Sequence, residues 1–152
     1  MKAVIRTLAL CSLLGIAGNV FAADKVCKLE ISGTDGMQYD KKELAVAADC
    51  TQVELTLHHS GTLPAQAMGH NWVLAKSADM AGVVSDGAGA TFANDHIKAG
   101  DARVIAHTKI VGGGQTTSVT FATSALKAGE KYSFFCTFPG HSALMKGTFK
   151  FG

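Results

Sequence analysis

The feature that most constrains the fold is a set of short segments in which apolar and polar residues alternate. In the clearest of them, TQVELTLHHSG, Val53, Leu55, Leu57 and His59 fall on one face of an extended chain. This period of two is typical of a half-buried β-strand. Further strand-like segments are CKLEISG, HNWVLAK, ARVIAHTKI, TTSVTFAT, KYSFFCTF and MKGTFKFG. Turn signals such as GGGQ and KAGE separate the later ones, and many short strands without alternating helices predict an antiparallel β-sandwich.

One segment does not follow this alternation. Residues 78–97, ADMAGVVSDGAGATFANDHI, are rich in small side chains and show only weak helical spacing. We expect an inserted flap with one short helix here.

The first 22 residues have the pattern of an export signal. Lys2 and Arg6 give a positive start, Leu8 to Ile16 an apolar stretch, and Val20 to Ala22 a small-residue cleavage pattern. A buried N-terminal helix is the alternative, and it fits this pattern less well. We therefore predict a signal peptide over residues 1–22, one domain over residues 23–152, and no membrane span.

Removal of the signal makes the chain nearly neutral. Fourteen Lys and Arg, less Lys2 and Arg6, leave twelve basic residues against twelve acidic ones. A chain with this balance has no basic surface of the kind that holds a nucleic acid backbone. We expect no nucleic acid partner.

The cysteines form an odd set once the signal is removed. Cys11 lies within the signal, which leaves Cys27, Cys50 and Cys136 in an oxidising compartment. Cys27 and Cys50 each lie at the edge of a strand-like segment near the start, so we expect them to form a disulfide. Cys136 is then a free thiol that needs protection, for example by a metal ion.

Soft donor side chains cluster near the C-terminus in FFCTFPGHSALMKG. Cys136, His141 and Met145 lie five and four residues apart with no carboxylate among them. His70, at the start of a strand, is the best candidate for a further ligand. Two histidines and a cysteine with a weak axial methionine are the ligands of blue-copper electron-transfer sites, where a backbone oxygen such as that of Gly69 can lie on the opposite axis. The alternatives are that Met145 is an ordinary core methionine and that Cys136 is an inert or a nucleophilic thiol.

The chain resembles the azurins, which are small periplasmic blue-copper cupredoxins. The resemblance rests on MGHNWVL, ADMAGVVSDG, RVIAHTK and FFCTFPGHSALMKG and extends from Cys27 to Phe149. It implies an eight-stranded Greek-key cupredoxin sandwich with a helical flap, and a disulfide between Cys27 and Cys50. It also implies one copper ion cycling between Cu(II) and Cu(I) in the periplasm, and electron transfer rather than enzymatic activity. The copper ligands would be Gly69, His70, Cys136, His141 and Met145.

Other residues are expected to support this site. Asn71 would tie the two ligand loops together, and backbone N–H groups near Asn71 and Phe138 are placed to donate to the Cys136 sulfur, which would raise the reduction potential. His59 faces inward, either as a titrating group coupled to the redox state or as a structural histidine.

A partner surface is expected around His141, whose ring edge should reach the surface after the FPG turn. Ala88 stands where a related azurin has a methionine on this surface. By resemblance, the partners would be c-type cytochromes or redox enzymes, bound weakly and transiently by a monomer. The expected apolar collar consists of Met37, Leu63, Pro64, Met68, Phe138, Pro139, Ala143 and Leu144.

Three other functional classes fit the sequence less well. A copper-storage protein would use solvent-open sites rich in methionine or cysteine. A zinc hydrolase needs an open coordination position and a nearby general base, and Met145 stands where a carboxylate would be needed. A copper reductase needs a second metal cluster, and the sequence has no second group of cysteine and histidine.

Overall fold

A computed structural model describes residues 24–152 as two packed β-sheets. The predicted signal peptide over residues 1–22 and Cys11 lie outside the described residues. The strands are β1 Val26–Thr34, β2 Gln38–Tyr39, β3 Glu43–Val46, β4 Gln52–His59, β5 Val73–Lys76, β6 Val104–His107, β7 Thr116–Ala122, β8 Tyr132–Phe135 and β9 Lys146–Phe151. The helices are α1 Ala65–Met68 and α2 Met80–Gly87.

The sheets have strand orders β2-β1-β4-β7 and β3-β9-β8-β5-β6, which confirms the cupredoxin-like sandwich. Nine strands are described rather than eight, because the short β2 pairs with the end of β1 after a tight turn. The sheets are mixed rather than wholly antiparallel, since β1 pairs in parallel with β4, and β3 with β9. The chain crosses to the other sheet through β3 before β4 returns, so β4 runs in the same direction as β1.

The alternation in β4 is confirmed, because Val53, Leu55, Leu57 and His59 are all buried. They face a core that contains Trp72, whose ring lies 6.1–6.2 Å from those of three phenylalanines. Burying such rings supplies much of the apolar area that stabilises a small sandwich. The three phenylalanines are Phe121, Phe134 and Phe149.

The expected disulfide is confirmed. Cys27 in β1 is bonded to Cys50, which precedes β4, with their Cα atoms 5.9 Å apart. Cys136 is the free cysteine among residues 24–152, and it is fully buried.

The inserted flap is also confirmed, between β5 and β6. It contains α2 and a 3-10 turn at Phe92–Asn94. Val83 of α2 packs in a small apolar cluster with Val73 and Phe135, which fixes the flap to the outer face of the second sheet. Within residues 24–152, no helix has the length and apolar character needed to cross a membrane.

Candidate metal centre

Three buried donor side chains meet at one end of the sandwich. The Nδ1 atoms of His70 and His141 are 3.2 Å apart, and the Cys136 sulfur is 3.8 Å from the His141 Nδ1 atom. All three ligand atoms lie within 4.8 Å of one another. His70 precedes β5, whereas Cys136 and His141 come from the loop after β8. The fold therefore brings together two histidines that are 71 residues apart in sequence.

The tautomer of His70 is fixed by the backbone. Its Nε2–H donates to the carbonyl of Thr34 at 2.8 Å, and a carbonyl can only accept. Neutral His70 therefore keeps its lone pair on Nδ1, the atom that faces His141. The ring stacks on His59, with centroids 4.3 Å apart and planes 7° apart. An orienting hydrogen bond of this kind is typical of metal-binding histidines.

Both histidines are held neutral. Burial lowers the pKa of His70, although its bond to Thr34 opposes this. Burial, followed by repulsion from His70 and His59, lowers the pKa of His141 to about 4. At neutral pH each ring therefore offers a lone pair rather than a positive charge.

The Cys136 thiol has the opposite tendency. Burial raises its pKa to about 11, and the backbone N–H groups of Asn71 and Phe138 partly offset this by donating to the sulfur. A metal-free thiol at this position is therefore protonated at neutral pH and must release a proton when it binds a metal ion.

Asn71 joins the two ligand segments. Its Oδ1 accepts from the Thr137 N–H at 2.9 Å, and its Nδ2 donates to the Thr137 hydroxyl at 2.7 Å. The same Nδ2 donates to the carbonyl of Asp95 at 3.0 Å, which adds the flap to the network. The sequence pointed to Asn71 as a residue between the ligand loops, but it gave no signal for Thr137 or Asp95, because their contacts depend on the tertiary fold.

Gly69 and Met145 lie beside the three donors. The Gly69 carbonyl oxygen is 4.0 Å from the Cys136 sulfur, and a side chain at Gly69 would overlap Ala65 and Ile110. Met145 is fully buried. Its N–H donates to the His141 carbonyl at 2.8 Å, and its own carbonyl accepts from the Cys136 N–H at 3.0 Å. These two hydrogen bonds join the beginning, middle and end of the loop from Cys136 to Met145.

The donor set fits copper. Two neutral imidazoles and one sulfur suit a soft or borderline ion, and no carboxylate of the described residues belongs to the cluster. The site is shielded from water, because His70 and Cys136 are fully buried.

His141 is more enclosed than expected, with 3% of the residue exposed. Of the expected collar, Phe138 lies against the His141 ring, with centroids 4.6 Å apart. Leu144 and Leu63 are the most exposed large apolar members, at 54% and 41%. Met37, Met68 and Phe138 are half-buried, and Pro64, Pro139 and Ala143 are exposed, as is Ala88 on the flap.

The flap adds aromatic side chains that the sequence did not indicate. The ring of His96 packs edge-on against Phe138 at 5.5 Å and near Phe92 at 6.3 Å. Phe92 is 37% exposed, so apolar surface continues from the collar onto the flap.

Comparisons with known proteins agree with this geometry. The family of copper binding proteins described as the plastocyanin/azurin family matches residues 25–152. Azurin-1 of Alcaligenes xylosoxydans xylosoxydans is 57% identical over 124 residues, which cover 82% of this chain and 96% of that protein. Azurin of Bordetella pertussis is 51% identical over 149 residues, which cover 98% of this chain and 97% of that protein.

A solved structure is similar as well. It is the azurin Az-iso2 from the obligate methylotroph Methylomonas sp. strain J, with a TM-score of 0.80 and 44% identity. The match covers 83% of this chain and 98% of that one. With the cluster of two histidines and a cysteine in place, the chain belongs to the plastocyanin/azurin family of copper-binding proteins.

Proposed function

We propose that this protein carries single electrons between redox proteins of the periplasm, with His141 as the point of entry and exit. The observation that carries the proposal is the buried cluster of the His70, Cys136 and His141 donor atoms within 4.8 Å. As a member of its family, the chain is a copper electron-transfer protein and not an enzyme. When bound, copper supplies one-electron chemistry by alternating between Cu(II) and Cu(I).

The residues of the site hold their donors in place before any metal arrives. Thr34 fixes the ring of His70 from one edge, and Asn71 fastens the Cys136 loop to the His70 segment. Because the donor residues are buried and held by these contacts, they need little rearrangement when the charge of the site changes. A small rearrangement favours rapid electron transfer.

We assign five ligands to the copper ion. His70, Cys136 and His141 would supply two nitrogens and one sulfur, and the carbonyl of Gly69 and the thioether of Met145 would supply weaker contacts. The N–H groups of Asn71 and Phe138 stabilise negative charge on the sulfur and favour Cu(I), which raises the reduction potential.

The partner surface is the collar around His141. Leu144 and Leu63 are exposed apolar side chains on a nearly neutral protein, so association relies on a small apolar contact rather than on charge steering. Contacts of this size release quickly, as a carrier requires. We infer that the partners are c-type cytochromes or redox enzymes and that the protein acts as a monomer.

The compartment follows from the sequence pattern at the N-terminus. Residues 1–22 would direct export and be removed, leaving one cupredoxin domain over residues 23–152 in the periplasm. The disulfide between Cys27 and Cys50 is consistent with that compartment, because disulfides form and persist under oxidising conditions.

The test is a copper titration of the metal-free protein, followed by visible absorption and redox cycling. We expect one Cu(II) per chain, an intense blue band from the cysteine sulfur, bleaching by one electron equivalent and recovery on reoxidation. Cys136→Ala should keep the fold, measured by circular dichroism, and lose the band. A wild-type Cu(II) complex that is colourless, or that does not cycle, would refute the proposal.

A further inference from the structure

Tyr39 is a buried phenol at the metal end of the core. The chain has two tyrosines, Tyr39 and Tyr132, and Tyr39 is 4% exposed. Its ring packs edge-on against Phe134 at 5.6 Å, and its hydroxyl donates to the carbonyl of Asn71. Burial, with the nearby Cys136 sulfur, raises the pKa of Tyr39, so the hydroxyl keeps its proton.

This hydrogen bond joins the first sheet to the ligand segment of the second. Tyr39 lies in β2, at the edge of the first sheet, and Asn71 lies between His70 and the start of β5. The two residues are 32 positions apart in sequence. The contact therefore spans the sandwich next to the metal centre.

The backbone on either side of Asn71 is fixed by other contacts. The His70 carbonyl accepts from the Val111 N–H at 2.9 Å, and the Trp72 N–H donates to the Thr108 hydroxyl at 2.9 Å. The Asn71 carbonyl belongs to the same peptide group as the Trp72 N–H. Tyr39 thus holds the oxygen side of a peptide group whose nitrogen side is held by Thr108.

We propose that Tyr39 is a positioning residue: by holding the Asn71 carbonyl, it keeps the Asn71 N–H directed at the Cys136 sulfur and so tunes the reduction potential. The inference rests on the proposed function, since it takes Cys136 to be a copper ligand. A phenylalanine at position 39 would leave the buried Asn71 carbonyl without its hydrogen-bond donor. A buried carbonyl without a donor lowers its free energy by turning toward another hydrogen-bond partner. The Asn71 N–H is on the preceding peptide group, which is joined to this one through the Asn71 Cα atom. Its far side, the His70 carbonyl, stays bonded to the Val111 N–H, so a shift of the Asn71 Cα tilts the N–H relative to the sulfur without releasing that peptide group.

The direction of the effect follows from the charge on the sulfur. An N–H donor stabilises the electron-rich sulfur of the reduced site, so a weaker donor favours Cu(II) and lowers the potential. The ring of a phenylalanine keeps the packing against Phe134, so Tyr39→Phe changes one hydrogen bond and little else.

Tyr132 provides a matched control. It is fully buried at the start of β8, and its hydroxyl accepts from the Lys127 N–H at 2.8 Å. Cys136 follows the other end of the same strand. Tyr132→Phe therefore removes a buried hydroxyl from the same core without touching the ligand segment.

The experiment compares wild type, Tyr39→Phe and Tyr132→Phe in two states. In the copper-loaded protein we would measure the reduction potential and the energy of the sulfur-to-copper absorption band. In the metal-free protein we would measure amide hydrogen exchange at Asn71 and Phe138 by NMR. The second measurement reads the hydrogen bond without any metal.

We expect Tyr39→Phe to lower the potential and shift the band, and to speed exchange of the Asn71 amide about tenfold, the scale of one lost hydrogen bond. Exchange of the Phe138 amide should stay at its wild-type rate in Tyr39→Phe. In Tyr132→Phe, the potential, the band energy and the amide exchange rates should all stay at their wild-type values. A Tyr39→Phe protein with unchanged potential, or with changes that Tyr132→Phe reproduces, would overturn the inference. A wild-type protein without a blue band would instead refute the proposed function, while the exchange data would still report on the hydrogen bond.

Discussion

The packing around Gly33 allows a quantitative test of how His70 is held. Gly33 lies in β1 beside His59 of β4. A Cβ atom added to Gly33 would lie 2.7 Å from Cδ2 of His70 and 3.3 Å from the methyl carbon of Met145. The backbone of Gly33 is outside the left-handed region, so alanine can adopt its conformation. Only the space at this position requires glycine.

The magnitude follows from two opposing terms. Carbon atoms pack best at about 3.5–4.0 Å, so an alanine at position 33 overlaps His70 by about 1 Å. Overpacking of this kind costs about 1–3 kcal/mol, and the loss of glycine's freedom in the unfolded chain returns about 0.4–1 kcal/mol. Taking the middle of each range, about 2 less about 0.7 kcal/mol, we expect Gly33→Ala to lower the free energy of unfolding by about 1.3 kcal/mol.

The assay is urea unfolding of the metal-free protein, with Gly36→Ala as the control. Gly36 lies in the turn after β1, and an added Cβ atom would meet only the Thr34 hydroxyl at 3.5 Å, an ordinary contact. Gly36→Ala should leave the stability unchanged or raise it by up to about 1 kcal/mol. If Gly33→Ala were as stable as Gly36→Ala, the close packing of β1 against His70 would be wrong.

Two further predictions concern a partly buried ion pair and the docking surface. Arg103 lowers the pKa of Asp101 from 3.8 to about 2, so the pair stabilises the fold above pH 4 and this is lost as the pH falls toward 2. Asp101→Asn should cost about 1 kcal/mol at pH 7, given solvent screening, and the difference should vanish in urea unfolding near pH 2; a difference independent of pH would contradict this. Leu144→Asp should slow electron exchange with a c-type cytochrome about tenfold in stopped-flow mixing, whereas Val26→Asp, a 45% exposed site away from the collar, should not; equal slowing would contradict the docking surface.

The ligand cluster could be predicted because its chemistry is local. Cys136 and His141 lie in one loop, and a free thiol in an oxidising compartment needs the protection that a metal ion gives. His70 was harder to predict as a ligand, because a single histidine before a strand indicates little about metal binding without the family resemblance. The sandwich and the flap were likewise predictable from alternation and its interruption.

The supporting residues could not be predicted from the sequence. Thr34 acts through its carbonyl, which every residue has, and Gly33 acts by lacking a side chain. Tyr39 looks like any core aromatic in a short strand until its partner Asn71 is known. Each contact depends on how the parallel pairing of β1 with β4 places the first sheet against the His70 segment.

The burial of His141 differs from expectation for a related reason. A histidine after a proline–glycine turn is expected at the surface, yet the residue is only 3% exposed. Phe138 covers one side of it, and the flap in turn supports Phe138 through His96. Contacts between distant segments, rather than the local turn, decide how much of the ring reaches solvent.

The proposed copper site requires the Cys136 sulfur and the two histidine nitrogens to bind one copper ion together. X-ray absorption at the copper edge of the loaded protein tests this most directly. We expect one sulfur and two imidazole nitrogens at bonding distance, with the sulfur contribution lost in Cys136→Ala. A copper ion surrounded only by nitrogen and oxygen atoms in the wild-type protein would contradict it.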